Sequence, residues 1–280
     1  MGHFITGLPA FLPALLLMAA AAAGVSGLLR ASLALLGFAM LSAGIQGYLT
    51  LTGVTWAIAG LAAAACLRQA SGRAAPVLHG LLLLWCGAMA AHLLPGFNNL
   101  KVLDAVQSGP ASVPFTLHLN IDKPMVFFAL LVAVPPLLGR GGPVHWRTLA
   151  SGIALLPVLF ALALAAGAIA PEPGLPEWWL IFALANLFLT CIAEEAFFRG
   201  YLQQLIGRRF GTMAGLTAAS LLFGLVHFPG GAALAGFAAI LGLACGLGFL
   251  ATGRLWVPAL MHFAFNFAHL ALFTYPGAAG

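Results

Sequence analysis

Glu194 and Glu195 stand side by side in an otherwise apolar run, Cys191-Ile192-Ala193-Glu194-Glu195-Ala196-Phe197-Phe198-Arg199-Gly200. An ionisable side chain inside hydrocarbon costs about 2.5–3.5 kcal/mol on insertion scales, so its presence marks a functional site by default. Glu195 and Arg199 are four residues apart, the spacing at which a carboxylate meets a guanidinium on one helix face. Glu194 is turned about 100° from that face and addresses something else. Two later runs add Phe223-Gly224-Leu225-Val226-His227 and His262-Phe263-Ala264-Phe265-Asn266. His262 and Asn266 are again four apart and share a face.

Depth joins these residues. At 1.5 Å per residue, Glu194 lies about 21 Å from Arg208, and His227 about 22 Å from Thr212. His262 and Asn266 lie about 10 and 16 Å from Leu255 by the same rise. Helix tilt absorbs the spread, so the four can share one intramembrane layer. A polar network that only holds helices together is the plainer alternative.

No serine or cysteine stands in a nucleophile's setting, which leaves hydrolysis by an activated water. Glu194 and His227 can together deprotonate it, and Asn266 and His262 can donate to a tetrahedral oxyanion. Arg199 would keep Glu195 ionised and oriented. Zinc competes, because two histidines and a glutamate suffice as ligands. The chain has no H-E-x-x-H helix and its histidines come from separate spans, so no cofactor is expected.

The elements that position these groups follow from composition. The chain has 280 residues, 62% hydrophobic, with 17 charged side chains (11 Lys+Arg and 6 Asp+Glu), or 6%. A soluble domain carries roughly 25%. With a mean hydropathy of +1.07, most of the chain must be solvated by lipid. Soluble, disordered, collagenous, coiled-coil and disulfide-scaffold classes are excluded. The net charge of +5 is scattered and forms no basic stripe, so no nucleic-acid partner is expected. The fold class read here is all-α, a polytopic transmembrane helical bundle of about 8–10 spans with an intramembrane active site.

Ten apolar segments carry that reading: 8–29, 31–49, 51–67, 75–94, 124–139, 148–170, 178–207, 212–228, 232–252 and 255–274. Arg30, Arg68 with Arg73, Arg140 with Arg147, Arg208 with Arg209, and Arg254 fall in alternate connections. The positive-inside rule makes these cytoplasmic and places the loop 95–123 and both termini outside. Lys101 and Lys123 in that loop run against the rule. The loop also holds Asn98, Asn99, Asp104, Gln107, Asn120 and Asp122, and its alternation over Phe115–Ile121 suggests an extended segment. It is either a plain connector or a docking surface for substrate. Segment 232–252, with Gly242-x-x-x-Gly246, reads as a close-packed wall of the site. Cys66, Cys86, Cys191 and Cys245 lie in apolar runs without metal-ligand spacing and read as small buried hydrophobes. No Lys or Arg precedes the first apolar run, so a cleaved signal is not expected. Met1–Thr6 fits the myristoylation pattern, which would add little to an embedded chain.

The motifs Glu194-Glu195-x-x-x-Arg199, Phe223-x-x-x-His227 and His262-x-x-x-Asn266, with Phe198-Arg199-Gly200-Tyr201-Leu202, resemble the CPBP family of CAAX proteases and bacteriocin-processing enzymes, also called ABI proteins. The resemblance covers roughly 148–280. It divides the chain into N-terminal transmembrane helices (1–147) and a catalytic helical bundle (148–280). It implies a glutamate-type intramembrane endopeptidase with Glu194, His227, His262 and Asn266 catalytic and Glu195, Arg199 and Phe223 supporting. The implied partners are a membrane-anchored protein or peptide substrate and the lipid bilayer, and the implied location is a bacterial inner (cytoplasmic) membrane. Older descriptions of the family call it a metalloprotease. A proton- or ion-coupled transporter and a noncatalytic scaffold remain alternatives. A transporter would show matching repeats in its two halves, and none is found.

Overall fold

The computed structural model describes residues 8–279, so the Met1–Thr6 pattern lies outside the described residues. Ten helices and one small sheet are described. A 3-10 turn, Leu8–Phe11, leads into α1 (Leu12–Val25), followed by α2 (Leu29–Ile45), α3 (Leu51–Gln69) and α4 (Ala74–Ala90). Strands β1 (Leu100–Val106) and β2 (Phe115–Leu119) pair with each other. Their short connection makes the pair an antiparallel hairpin, since a parallel crossover needs a dozen or more residues. Then come α5 (Met125–Ala133), α6 (Trp146–Ala165), α7 (Trp179–Phe210), α8 (Thr212–Val226), α9 (Ala232–Thr252) and α10 (Trp256–Leu272).

Helices α3, α6, α7 and α9 are long and apolar enough to cross a membrane, and α1, α2, α4, α8 and α10 are shorter apolar helices. The chain is an all-α polytopic bundle. The expected span 124–139 is corrected. Only nine residues of it are helical, about 13.5 Å at 1.5 Å per residue, because Pro135-Pro136 cannot continue a helix. Met125 to Leu130 and Ala133 are buried, so α5 is apolar on all sides because protein surrounds it. The extended segment expected near 115–121 is β2. Its partner β1 went unread, because Lys101 and Asp104 interrupt any apolar alternation there.

The chain divides into two compact units. Unit 1 comprises residues up to 103, 117–138 and 188–197. Within it α5 packs against α1, α3 and α4. Ser32, fully buried on α2, donates to Ala20 O at 2.8 Å and closes the α1–α2 hairpin. Helices α3 and α4 approach so closely that a Cβ at Gly60 would lie 2.2 Å from the Trp85 ring. Trp85 Nε1 donates to Trp56 O at 3.0 Å across the same contact.

Unit 2 comprises 104–116, 139–187 and 198 onward, and α9 is its hub, packing against α6, α8 and α10. Its two ends differ in charge. At one end Gly141 N–H donates to Gly253 O and His145 N–H to Ala251 O, each at 2.9 Å. Arg254 reaches Gly142 O at 3.4 Å, and Arg208 lines a cavity there with Thr212 and Gly253. At the other end Glu172 accepts from Ala111 N–H at 2.7 Å and from the Ser112 hydroxyl. Val113 N–H donates to Gly277 O and Thr274 N–H to Ala170 O, at 3.1 and 2.9 Å. The loop tip 107–113 therefore sits at the end opposite the arginines.

That separation gives a labelling experiment. In a background with the exposed Cys66 replaced by alanine, Pro110→Cys should react with a membrane-impermeant thiol reagent in intact cells. Gly142→Cys, where a Cβ meets open space, should react only after the membrane is breached. Labelling of the second alone would invert the orientation.

Candidate active site

Both adjacent glutamates belong to unit 1, on the part of α7 that runs from 188 to 197. Helix α7 is not uniform: Asn186–Cys191 and Ala196–Gln203 are π-helical, and Ile192–Glu195 is a single α turn between them. Such π turns occur frequently at functional sites. They also revise the depth count, since the i→i+5 ladder over Ala196–Gln203 replaces the ideal α rise assumed between Glu194 and Arg208. Glu195 is fully buried, and Glu194 retains slight exposure. What Glu194 addresses is Lys123, whose Nζ lies 2.5 Å from its Oε1. Lys123 stands just ahead of α5, which packs on the 192–195 turn.

A buried carboxylate fixes the backbone beside Lys123. Asp122 Oδ1 accepts from Asn99 Nδ2 at 3.0 Å and from Lys123 N–H at 2.9 Å. Its Oδ2 lies 2.6 Å from His92 Nδ1. Asn99 in turn accepts from Ile121 N–H at 2.8 Å. Neither Lys123 nor this clamp was singled out as part of the site from sequence. The available signal was that Lys123 is one of 17 charges and Asp122 one of six acids in the whole chain.

The remaining candidates belong to unit 2, where the Phe223 ring gathers them. Arg199 has no exposed surface. Its Nη2 donates to Gly242 O at 2.8 Å, and its guanidinium carbon lies 4.7 Å from the Phe223 centroid and 5.7 Å from that of Phe198. Gly242 is closely packed here: a Cβ would lie 3.2 Å from Nη2 and 3.1 Å from Ser220 Cα, so those neighbours would have to give by a few tenths of an ångström. The His227 ring lies 4.7 Å from Phe223, and the His262 ring 5.6 Å away and nearly perpendicular. His262 is 3% exposed. One turn further along α10, Asn266 Nδ2 donates to Asn186 Oδ1 at 3.2 Å. Asn186 was not singled out from sequence. It opens the first π turn of α7 as a polar residue between Ala185 and Leu187.

His227 caps α8, and its Nδ1 lies 2.7 Å from Phe223 O. A carbonyl only accepts, so Nδ1 carries a proton, and in the neutral ring Nε2 presents a lone pair. That is the tautomer a general base requires. A structural zinc site takes four ligands and a catalytic one three. Among the described residues no group of three or more His, Cys, Asp or Glu side chains is placed to hold a metal ion.

Arg199→Lys tests the aromatic hub. Lysine cannot present the planar, forked cation to Phe223 and Gly242 O together. The expected loss is about 1.5–3 kcal/mol, the scale of a hydrogen bond to a charged group, read as a lower melting temperature of the detergent-purified protein. An unchanged melting temperature would remove Arg199 as the tie.

Residues 176–268 match the family model for Rce1-like type II CAAX prenyl endopeptidases. No curated protein and no solved structure matches the chain. The matched stretch spans all three motifs, including Glu194, Arg199, His227, His262 and Asn266. Motifs and match agree: over residues 176–268 the chain is similar to the Rce1-like type II CAAX prenyl endopeptidases, and α7 and α9 within that stretch are long and apolar enough to cross a membrane.

Proposed function

We propose that this chain is an intramembrane endopeptidase that cuts a membrane-anchored protein or peptide near its membrane segment or its C-terminus, in a bacterial inner membrane. The observation that carries the chemistry is the Nδ1–H···O=C bond from His227 to Phe223, which in the neutral ring leaves Nε2 as the proton acceptor. Glu194 and His227 take a proton from water, and the resulting hydroxide attacks the peptide carbonyl. Asn266, oriented through Asn186, and His262 donate to the oxyanion. The proton taken from water then passes to the leaving amine as the C–N bond breaks. Glu195, Arg199 and Phe223 hold the helices that carry these groups. No step is routed through a metal.

The Rce1-like match makes a farnesylated CAAX peptide the first substrate to offer protein reconstituted in liposomes. In parallel, the membrane proteome of a deletion strain complemented with wild type should be compared with one complemented with Glu194→Gln. The amide keeps the shape of Glu194 but cannot take a proton, so cleavage should disappear while the protein still accumulates and folds. Glu195→Gln should lower the melting temperature as well, because it alters a fully buried carboxylate in low dielectric. Wild-type cleavage by Glu194→Gln would sink the mechanism.

Exhaustive chelation should leave cleavage unchanged, and purified protein should contain no stoichiometric zinc. Loss of activity on chelation, restored by Zn²⁺, would instead make His227 and His262 ligands.

A further inference from the structure

We infer that Lys123 is a positioning residue for Glu194, supplied by a part of the chain that lies ahead of the family match at 176–268; the inference rests on the reading of Glu194 as the water-activating carboxylate. Lys123 Nζ sits 2.5 Å from Glu194 Oε1, with the two side chains 17% and 13% exposed. At that burial the attraction is only weakly screened. Exposed lysines are usually mobile, whereas this one leaves a fixed stub. The carboxylate of Asp122 ties down the Lys123 N–H, Asn99 and His92, and Pro124 opens α5 immediately afterwards. Asn99 and Asp122 of the 95–123 loop, with His92 just beyond α4, are thus spent on aiming one ammonium group.

The ammonium has three donors and no acceptor. It holds Oε1 and balances the charge of Glu194 where water cannot. Holding Oε1 sets the direction in which the Glu194 carboxylate faces the water it activates. Lys123 touches no substrate in this arrangement, so it acts on turnover and leaves binding alone. A merely structural ion pair would affect folding and leave the turnover of the folded protein unchanged.

Two measurements on the full-length protein in liposomes separate these roles, with the farnesylated CAAX peptide as probe. Lys123→Met should lower kcat by about tenfold or more, as small misplacements of a reacting group do, while KM changes by less than about twofold. Lys123→Arg, which keeps the charge and a donor, should recover most of kcat. Should Lys123→Met not accumulate, Lys123→Gln, which keeps a polar head without charge, takes its place under the same readout. The second measurement is a thermal double-mutant cycle that needs no substrate. Lys123→Met should lower the melting temperature in the wild-type background and much less in Glu194→Gln. Equal thermal shifts in both backgrounds would overturn the pair itself. Undiminished kcat in Lys123→Met, or no recovery by Lys123→Arg, would overturn the positioning role. If Glu194→Gln proves fully active while the thermal coupling persists, the reading of Glu194 has failed. The positioning role then falls with it, and the pair is a structural clasp.

Discussion

A guanidinium that cannot be neutralised and has no exposed surface must be satisfied entirely by its neighbours. Arg199 meets part of that demand with the Gly242 carbonyl and the rings of Phe198 and Phe223, beside a glycine that leaves room for the group. Each partner comes with a structural obligation. The carbonyl of Gly242 fixes the approach of α9 to α7, and Phe223 fixes α8 against both. The Phe223 ring also meets the two histidine rings, and its own backbone carbonyl accepts from His227 Nδ1. Much of unit 2 can be read as the consequence of enclosing one cation.

Unit 1 solves the complementary problem of enclosing carboxylates. It uses a direct ion pair for Glu194 and a hydrogen-bonded clamp for Asp122. The short helix α5 serves this purpose more than it serves the bilayer. It is surrounded by other helices on every side and presses Lys123 toward the 192–195 turn. Aromatic faces receive the cation in one unit, while charges and amides receive the anions in the other. Both tactics follow from the same desolvation cost.

Much of this was legible in the residues. Charges are so scarce that Glu194, Glu195, Arg199, His227 and His262 stand out against the apolar background, and helical spacing groups them by face. The failures have physical causes. Lipid and protein interior are equally apolar, so composition could not tell the enclosed α5 from a span. A π turn has no residue signature that sets it apart from an α turn, which hid the changed register of α7. Lys123 looked like a misplaced loop charge because its partner lies 71 positions away in the chain, beyond any local pattern. Phe223 was legible as a motif position, yet nothing in its spacing shows that one ring would contact three charged or polar groups.

The π turn over Ala196–Gln203 has a bearing on which changes of chain length this protein can absorb. An i→i+5 turn takes in one residue more than an i→i+4 turn, and one residue corresponds to about 100° of helical phase. Removing a single residue between Ala196 and Arg199 would let the backbone settle into an ordinary α ladder at little cost to the helix itself. Because the π turn had absorbed that extra residue, the helix beyond it would keep its phase, and the shift would fall on the residues inside the turn, Arg199 among them. The same deletion in an ordinary α stretch would rotate everything beyond it by about 100°. The π turn therefore makes this segment more tolerant of a lost residue downstream than at Arg199 itself.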